Sequence, residues 1–173
     1  IPVSRLQMFR AAPPWYHPGR SGVLGFEPKT PLAAFGEIDP RVLKAMDAKG
    51  PMVGFEVFLD AIPWPKEGKG SARSFLKLSP FQPLSRDFAF VVDEDVAAES
   101  LVRAALGADK KLIVEVFVFD VFSGTGLPAG KKSIAIGVLL QPTDHTLTDA
   151  EIEEVEGKII AAVAKTTGAV LRT

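Results

Sequence analysis

The second half of the chain switches between period-two and helical patterns of apolar residues, and these patterns predict six elements. They follow the order strand, helix, strand, strand, helix, strand over residues 86–92, 98–106, 112–122, 134–140, 148–163 and 169–171. In the first strand, Phe88 and Phe90 fall on one face. Residues 112–122 are apolar on both faces except at Glu115 and Asp120, which is typical of a strand inside a sheet.

Both predicted helices have their own boundary signals. The acidic residues 93–95 precede the first helix and suit the positive end of its dipole, and Gly107 is expected to end it. Thr148 and Glu151 have the spacing of a capping box at the start of the second helix. The βαββαβ order therefore predicts an α+β domain of the split βαβ, or ferredoxin-like, type over residues 79–173.

The first half of the chain contains more strand patterns than helical ones. Three alternating runs predict strands, over residues 21–26, 32–38 and 53–59. Asp39-Pro40 predicts a helix start, because Asp caps free N–H groups and Pro suits the first helical position. Three strands and one helix make a thin core, so we expect residues 1–62 to be the end of a larger mixed α/β domain. Residues 63–78, rich in Pro, Gly and Lys, are expected to form a linker.

The most distinctive cluster in this half runs from Trp15 to Gly22. The imidazole of His17 and the guanidinium of Arg20 suit a phosphate or a carboxylate, but no nucleophile or metal set converges with them. We favour an aromatic Gly-Pro turn whose Arg20 pairs with a neighbouring subunit or domain. His17 and Arg20 are therefore candidate interface residues.

Composition excludes several kinds of chemistry. The chain has no Cys, so it holds no disulfide, no thiolate metal site and no cysteine nucleophile. Its two histidines, His17 and His145, are far apart and lack metal-ligand spacing. No apolar run approaches the roughly 18 residues that cross a bilayer, and no signal peptide opens the chain. We therefore expect a cytoplasmic protein with no metal or cofactor of its own in this chain.

The small net charge hides an asymmetry between the two halves. Residues 1–78 hold 11 Lys and Arg against 7 Asp and Glu, a net charge of +4. Residues 79–173 hold 9 against 14, a net charge of −5. The sign changes at the predicted linker, which supports a boundary between two domains there.

Several short motifs occur together in the second half. They are Arg86-Asp87-Phe88-Ala89, Phe119-Asp120-Val121-Phe122, Gly130-Lys131-Lys132-Ser133 and Thr146-Leu147-Thr148-Asp149. In this order and spacing they resemble the ferredoxin-fold anticodon-binding domain that ends the bacterial phenylalanine–tRNA ligase beta subunit. The residues upstream resemble the end of the synthetase-like, non-catalytic domain before it, at His17-Pro18-Gly19-Arg20-Ser21-Gly22, Phe35-Gly36-Glu37, Pro40 and Phe55-Glu56.

The resemblance implies a definite role. The holoenzyme of that family attaches phenylalanine to its tRNA with ATP and Mg²⁺, and it is a heterotetramer of alpha and beta subunits. Amino-acid activation takes place in the alpha subunit, and editing belongs to an upstream region of the beta subunit. The resemblance therefore implies that this chain has no active site, grips the anticodon end of phenylalanine tRNA and helps to hold the assembly together.

The chemistry of the second half supports RNA binding only through local features, because phosphate affinity comes from Lys and Arg and this half is acidic. The best candidates for a basic patch are Arg86, Lys131 and Lys132, with a solvated hairpin base as an equally open reading. Phe117 and Phe119 share a face of the predicted second strand. They suit base stacking, but we favour a place in the core because such a sheet buries at least one face.

Two other functions deserve comparison. A purely structural subunit-interaction module with the same fold stays open, favoured by the acidic balance and by the many Glu on the second predicted helix. A stand-alone enzyme of this fold, such as an acylphosphatase, is excluded, because that chemistry needs an Arg with a catalytic Asn and the chain has no Asn.

Overall fold

Two separate antiparallel sheets organise the computed structural model, which describes residues 6–63, 75 and 78–172. The chain divides into two units, Ile1–Ser74 and Phe75–Thr173, here called unit 1 and unit 2. Most of the predicted linker, residues 64–74 and 76–77, lies outside the described residues.

Unit 1 is built on a four-stranded sheet in the order β1-β2-β3-β4. Its elements are β1 Gln7–Phe9, β2 Tyr16–Gly25, β3 Pro31–Ile38, α1 Pro40–Ala45, β4 Val53–Val57 and a 3-10 turn at Leu59–Ala61. The core is small, with Tyr16, Val23 and Ala34 at its centre. Asp39 caps α1 as predicted, since its Oδ1 accepts a hydrogen bond from the backbone N–H of Arg41 at 2.8 Å.

In unit 1 one strand was missed and one prediction is wrong. Strand β1 was not predicted, because three residues are too few to show a period. The cluster from Trp15 to Gly22 is not a turn, since β2 begins at Tyr16 and runs through it. The pairing of β2 with β3 shifts register between Tyr16 and Ser21, and this irregularity accommodates Pro18, which has no N–H for the ladder.

Unit 2 has the predicted βαββαβ order. Its elements are β5 Leu84–Asp93, α2 Ala98–Ala108, β6 Ile113–Phe122, β7 Lys131–Leu140, α3 Asp149–Thr167 and β8 Val170–Leu171. All strand pairs are antiparallel, and the sheet order is β6-β7-β5-β8. This arrangement confirms the ferredoxin-like fold.

The core of unit 2 lies between α2, α3 and one face of the sheet. Its most deeply buried side chains are Phe90, Val92, Leu101, Ile134, Ile136, Val138, Leu140, Ile159 and Val163. Full burial of one such side chain contributes about 1.5–3 kcal/mol relative to exposure. The capping box is confirmed, because Thr148 Oγ1 accepts from the Glu151 N–H and Glu151 Oε2 accepts from the Thr148 N–H.

Three details of unit 2 differ from the predictions. Strand β6 is an edge strand, whereas β7 and β5 occupy the interior. The acidic residues do not start the first helix, since Asp93 belongs to β5 and α2 begins at Ala98 with no side-chain cap at Ala97. Helix α2 continues past Gly107 to Ala108. Local charge and a single Gly were outweighed by the packing of α2 on the sheet.

Candidate nucleic-acid interface

One face of the unit 2 sheet points away from α2 and α3, and we call it the open face. Strand alternation assigns residues to it, because side chains at odd positions of β5 and β7 are opposite to the buried ones at even positions. The open face carries Glu115, Phe117, Asp120 and Phe122 on β6, Lys131, Ser133, Ala135, Gly137 and Leu139 on β7, Ser85, Asp87, Ala89, Val91 and Asp93 on β5, and Val170 on β8.

Small residues form the middle of this face. In register, Asp120 pairs with Ala135, and Ala135 pairs with Ala89. In the neighbouring row Phe117 pairs with Gly137, which pairs with Asp87. The two interior strands thus make a low floor, and the larger side chains of β6 stand along one edge of it.

The edge formed by β6 is aromatic and exposed. Phe117, Phe119 and Phe122 are 44%, 54% and 41% exposed, and the ring centroids of Phe117 and Phe119 are 6.4 Å apart at an interplanar angle of 55°. A register shift between Val118 and Asp120 accompanies this outward display. The prediction that Phe117 and Phe119 belong to the core is therefore wrong, because no described element covers this face of the edge strand.

The three basic residues predicted to form a patch do not come together. Lys131 and Lys132 pair with Asp93 and Val92 at one end of β5, whereas Arg86 pairs with Val138 near the other. Arg86 and Val92 are six residue steps apart along the strand, a distance of about 20 Å. Only Lys131 is on the open face, since Lys132 and Arg86 are in register with helix-facing positions.

All three basic side chains already have partners inside unit 2. Lys131 Nζ is 2.7 Å from Asp93 Oδ1, and Arg86 Nε is 2.7 Å from Glu156 Oε1 on α3. Lys132 Nζ donates to the backbone carbonyl of Glu94 at 2.8 Å. These contacts reduce the positive potential that each residue offers to a phosphate.

His17 and Arg20 also contact their own unit. The backbone N–H of Gly19 donates to His17 Nδ1 at 3.1 Å. Arg20 Nη1 is 2.7 Å from Glu37 Oε2 on the neighbouring strand, and this hydrogen bond raises the pKa of Arg20 above its usual value. Arg20 thus has an intramolecular partner, and its pairing with another subunit or domain stays a prediction.

A signal for the aromatic edge was present in the sequence. In a βαββαβ unit the second strand pairs with the third alone, so it occupies an edge. An edge strand that is apolar on both faces buries one of them in the core and exposes the other. Because this strand was predicted to be an interior one, Phe122 was not named as a candidate binding residue.

Among the described residues, no three His, Cys, Asp or Glu side chains gather as a potential metal site.

Comparison with known proteins agrees with the fold of unit 2. Residues 79–172 match the ferredoxin-fold anticodon binding domain, and the chain belongs to this family. The chain is 55% identical over 99% of its length to the phenylalanine–tRNA ligase beta subunit of Rhodospirillum rubrum. It is 53% and 54% identical, over the same share, to the corresponding subunits of Mesorhizobium japonicum and Brucella abortus. The chain spans about 21% of the length of each of these relatives.

No helix within residues 6–63 and 78–172 combines the length and the apolar character that a membrane span requires.

Proposed function

We propose that this chain is a non-catalytic, tRNA-binding portion of a phenylalanine–tRNA ligase beta subunit and that its open face takes single-stranded bases of the anticodon loop. The observation that carries the proposal is the pair of exposed rings, Phe117 and Phe119, beside a floor of small residues in a domain of the anticodon-binding family. Exposed apolar patches of this kind mark binding surfaces in proteins.

Stacking supplies the main attraction. A base stacked on an aromatic side chain contributes about 1–3 kcal/mol, and every base has a face that can stack. The Phe117 ring lies over Gly137, whereas Ala89 and Ala135 leave room above the sheet, so a splayed base lies flat on this part of the floor with its plane close to a ring.

The acidic character of unit 2 fits a surface that reads bases. Asp87 and Asp120 are exposed on the open face, and carboxylates accept hydrogen bonds from the amino groups on base edges. The same carboxylates repel phosphates. We therefore propose that this face contributes base recognition, while most of the backbone affinity for tRNA comes from other parts of the enzyme.

The basic residues named from the sequence divide into two groups under this proposal. Lys131, on the open face and partly exposed, is a phosphate contact that also forms an ion pair with Asp93. Arg86 and Lys132 face the helix side and stabilise the unit. His17 and Arg20 remain the proposed contact residues of unit 1.

The wider assignment follows from the relatives. We propose that residues 1–62 end a synthetase-like domain, that residues 63–78 link it to the anticodon-binding domain of residues 79–173, and that the alpha subunit of a cytoplasmic heterotetramer is the partner. The complete enzyme would attach phenylalanine to its tRNA with ATP and Mg²⁺ at sites outside this chain.

The test uses the full-length beta subunit assembled with its alpha subunit. Changing both rings, Phe117→Leu and Phe119→Leu, should weaken the binding of phenylalanine tRNA about tenfold or more, because two stacking surfaces are lost. The matched control, Phe117→Tyr with Phe119→Tyr, keeps both aromatic faces and should retain affinity. An unchanged dissociation constant for the leucine variant would rule the proposal out.

The second candidate function, a structural interaction module, has one observation in its favour. Exposed rings on an edge strand also suit burial against another protein subunit. The two functions differ in the leucine variant, which would then lose tetramer assembly, measured by light scattering, while any assembled enzyme bound tRNA normally.

A further inference from the structure

Arg172 follows the short edge strand β8 and continues its pairing with β5. Its backbone N–H donates to the carbonyl of Ala89 at 2.7 Å, so the chain is held to the sheet as far as this residue. Leu171 packs against the core and Val170 is 66% exposed. Because side chains alternate along a strand, Arg172 lies on the face of Val170, which is the open face.

The guanidinium of Arg172 differs from the other basic groups of the sheet. Lys131 shares the open face but is paired with Asp93, and Arg86 is paired with Glu156 on the helix side. Arg172 is exposed, and within the described part of the chain its side chain has no hydrogen-bond or ion-pair partner. Among the basic groups on the described open face, Arg172 is therefore the one that is not already in an ion pair.

Register places Arg172 across the floor from the aromatic edge. Asp120, Ala135 and Ala89 form one row of the sheet, and Arg172, directly after β8, continues it. Three strand spacings of about 4.8 Å separate the two ends of the row, which gives about 14 Å from Asp120 to Arg172. Only alanine side chains lie between them.

Charge is distributed unequally between the two edges. Strand β6 contains Glu115 and Asp120 and no Lys or Arg, so the charged side chains of this strand repel a phosphate. The opposite edge presents the guanidinium of Arg172, whose planar donors match two phosphate oxygens at once. The aromatic rings along one edge and the unpaired guanidinium at the other give the open face two chemically different edges.

We propose that Arg172 binds a phosphate of the single-stranded RNA on the open face, so that the sugar–phosphate backbone follows β8 and the bases extend across the alanine floor towards β6. This inference rests on the proposed function, because it assumes that RNA occupies the face. It adds the orientation of the strand and a binding residue that the sequence motifs did not indicate.

The first experiment measures the dissociation constant of phenylalanine tRNA against salt concentration, with the full-length subunit in the assembled enzyme. Arg172→Gln should weaken binding roughly tenfold and reduce the slope of log K against log salt by about 0.7, as expected for one lost single-strand phosphate contact. Arg172→Lys should keep the salt slope, because the positive charge remains. It should lose part of the affinity for tRNA, because an ammonium group cannot donate to two phosphate oxygens in the fixed geometry of a guanidinium. The matched control is Lys111→Gln, which removes an exposed positive charge from the turn before β6.

The second experiment tests the phosphate directly. Neutral methylphosphonates replace the phosphates of the anticodon loop one at a time. A methylphosphonate at one of these positions should weaken the binding of the tRNA to the parent enzyme. The same modified tRNA should bind the Arg172→Gln enzyme as tightly as unmodified tRNA does. Additive losses at every position would overturn the inference, since the guanidinium would then act on another group.

The outcomes separate the two proposals. If the leucine variant of the rings loses affinity while Arg172→Gln behaves like Lys111→Gln, the orientation is wrong and the RNA-binding face stands. If neither the ring variant nor Arg172→Gln changes affinity, both proposals fail. Thermal melting of Arg172→Gln should match that of the parent protein, because the side chain is exposed and makes no described contact.

Discussion

The ring of Phe117 lies over Gly137, its register partner on the neighbouring strand. A Cβ at Gly137 would come within 2.5 Å of Phe117 Cζ and within 3.0 Å of Cε1, closer than carbon atoms pack. The absence of a side chain at this position of β7 is what lets the ring of an edge strand lie down on the sheet. The aromatic edge and the small floor are therefore parts of one arrangement.

Gly137→Ala should move the Phe117 ring off the sheet. The ring is 44% exposed and can swing towards solvent, so we expect the free energy of unfolding to change by less than about 1 kcal/mol. Binding of phenylalanine tRNA should weaken several-fold, because one stacking surface is misplaced. In a Phe117→Leu background the same change should add almost nothing, and additive losses would show that Gly137 acts independently of the ring.

Arg86→Gln tests whether Arg86 binds RNA or stabilises unit 2. The Arg86–Glu156 pair is partly exposed, with side-chain exposures of 35% and 30%, so its loss should cost less than about 1 kcal/mol of stability. Because Arg86 faces the helices, affinity for tRNA and its salt dependence should not change. If the affinity of this variant for tRNA depended less steeply on salt concentration, Arg86 would be an RNA-binding residue, as predicted from the sequence.

The cap of α3 should weaken in acid. Hydrogen bonds from the Thr148 backbone and from His145 lower the pKa of Glu151 from 4.5 to about 2. A carboxylate with a depressed pKa in the folded state stabilises fully above its unfolded pKa and loses this contribution as pH falls through the folded pKa. Hydrogen exchange of the α3 amides should therefore show a difference between the parent protein and Glu151→Gln that is present above pH 4.5 and disappears towards pH 2.

Glu153→Gln provides the control for that measurement, since it neutralises an exposed carboxylate of the same helix outside the capping box. An equal pH dependence in both variants would mean that overall charge, and not the cap, controls the opening of α3.

Two glycines of α3 should respond in opposite directions. Gly157 lies inside the helix, and a Cβ added there would meet open space, so Gly157→Ala should stabilise the helix by up to about 1 kcal/mol. Gly168 ends the helix in the left-handed region at φ 68°, so Gly168→Ala should destabilise it by about 1 kcal/mol. The opening free energies of the α3 amides give both values, and a loss of stability in Gly157→Ala would contradict the first.

The pattern of apolar and polar residues along the chain was sufficient to predict the features that depend on residues close together in sequence. The capping box at Thr148 was predicted and is present, because a helix brings together residues three and four apart. The same spacing places Ile152, Val155, Ile159 and Val163 on the buried side of α3. The βαββαβ order was predicted for the same reason. Strand β1 could not be predicted, because three residues are too few to show an alternating pattern.

Features that depend on distant pairing were decided only when the chain folded. Alternation shows that Phe117 and Phe119 share a face of β6, but whether that face is covered depends on its place at the sheet edge. The partners of Arg86 and Lys131, and the position of Arg172 on the open face, likewise depend on strand and helix contacts far along the chain. Periodicity specifies which side chains share a surface, whereas long-range packing determines what lies against that surface.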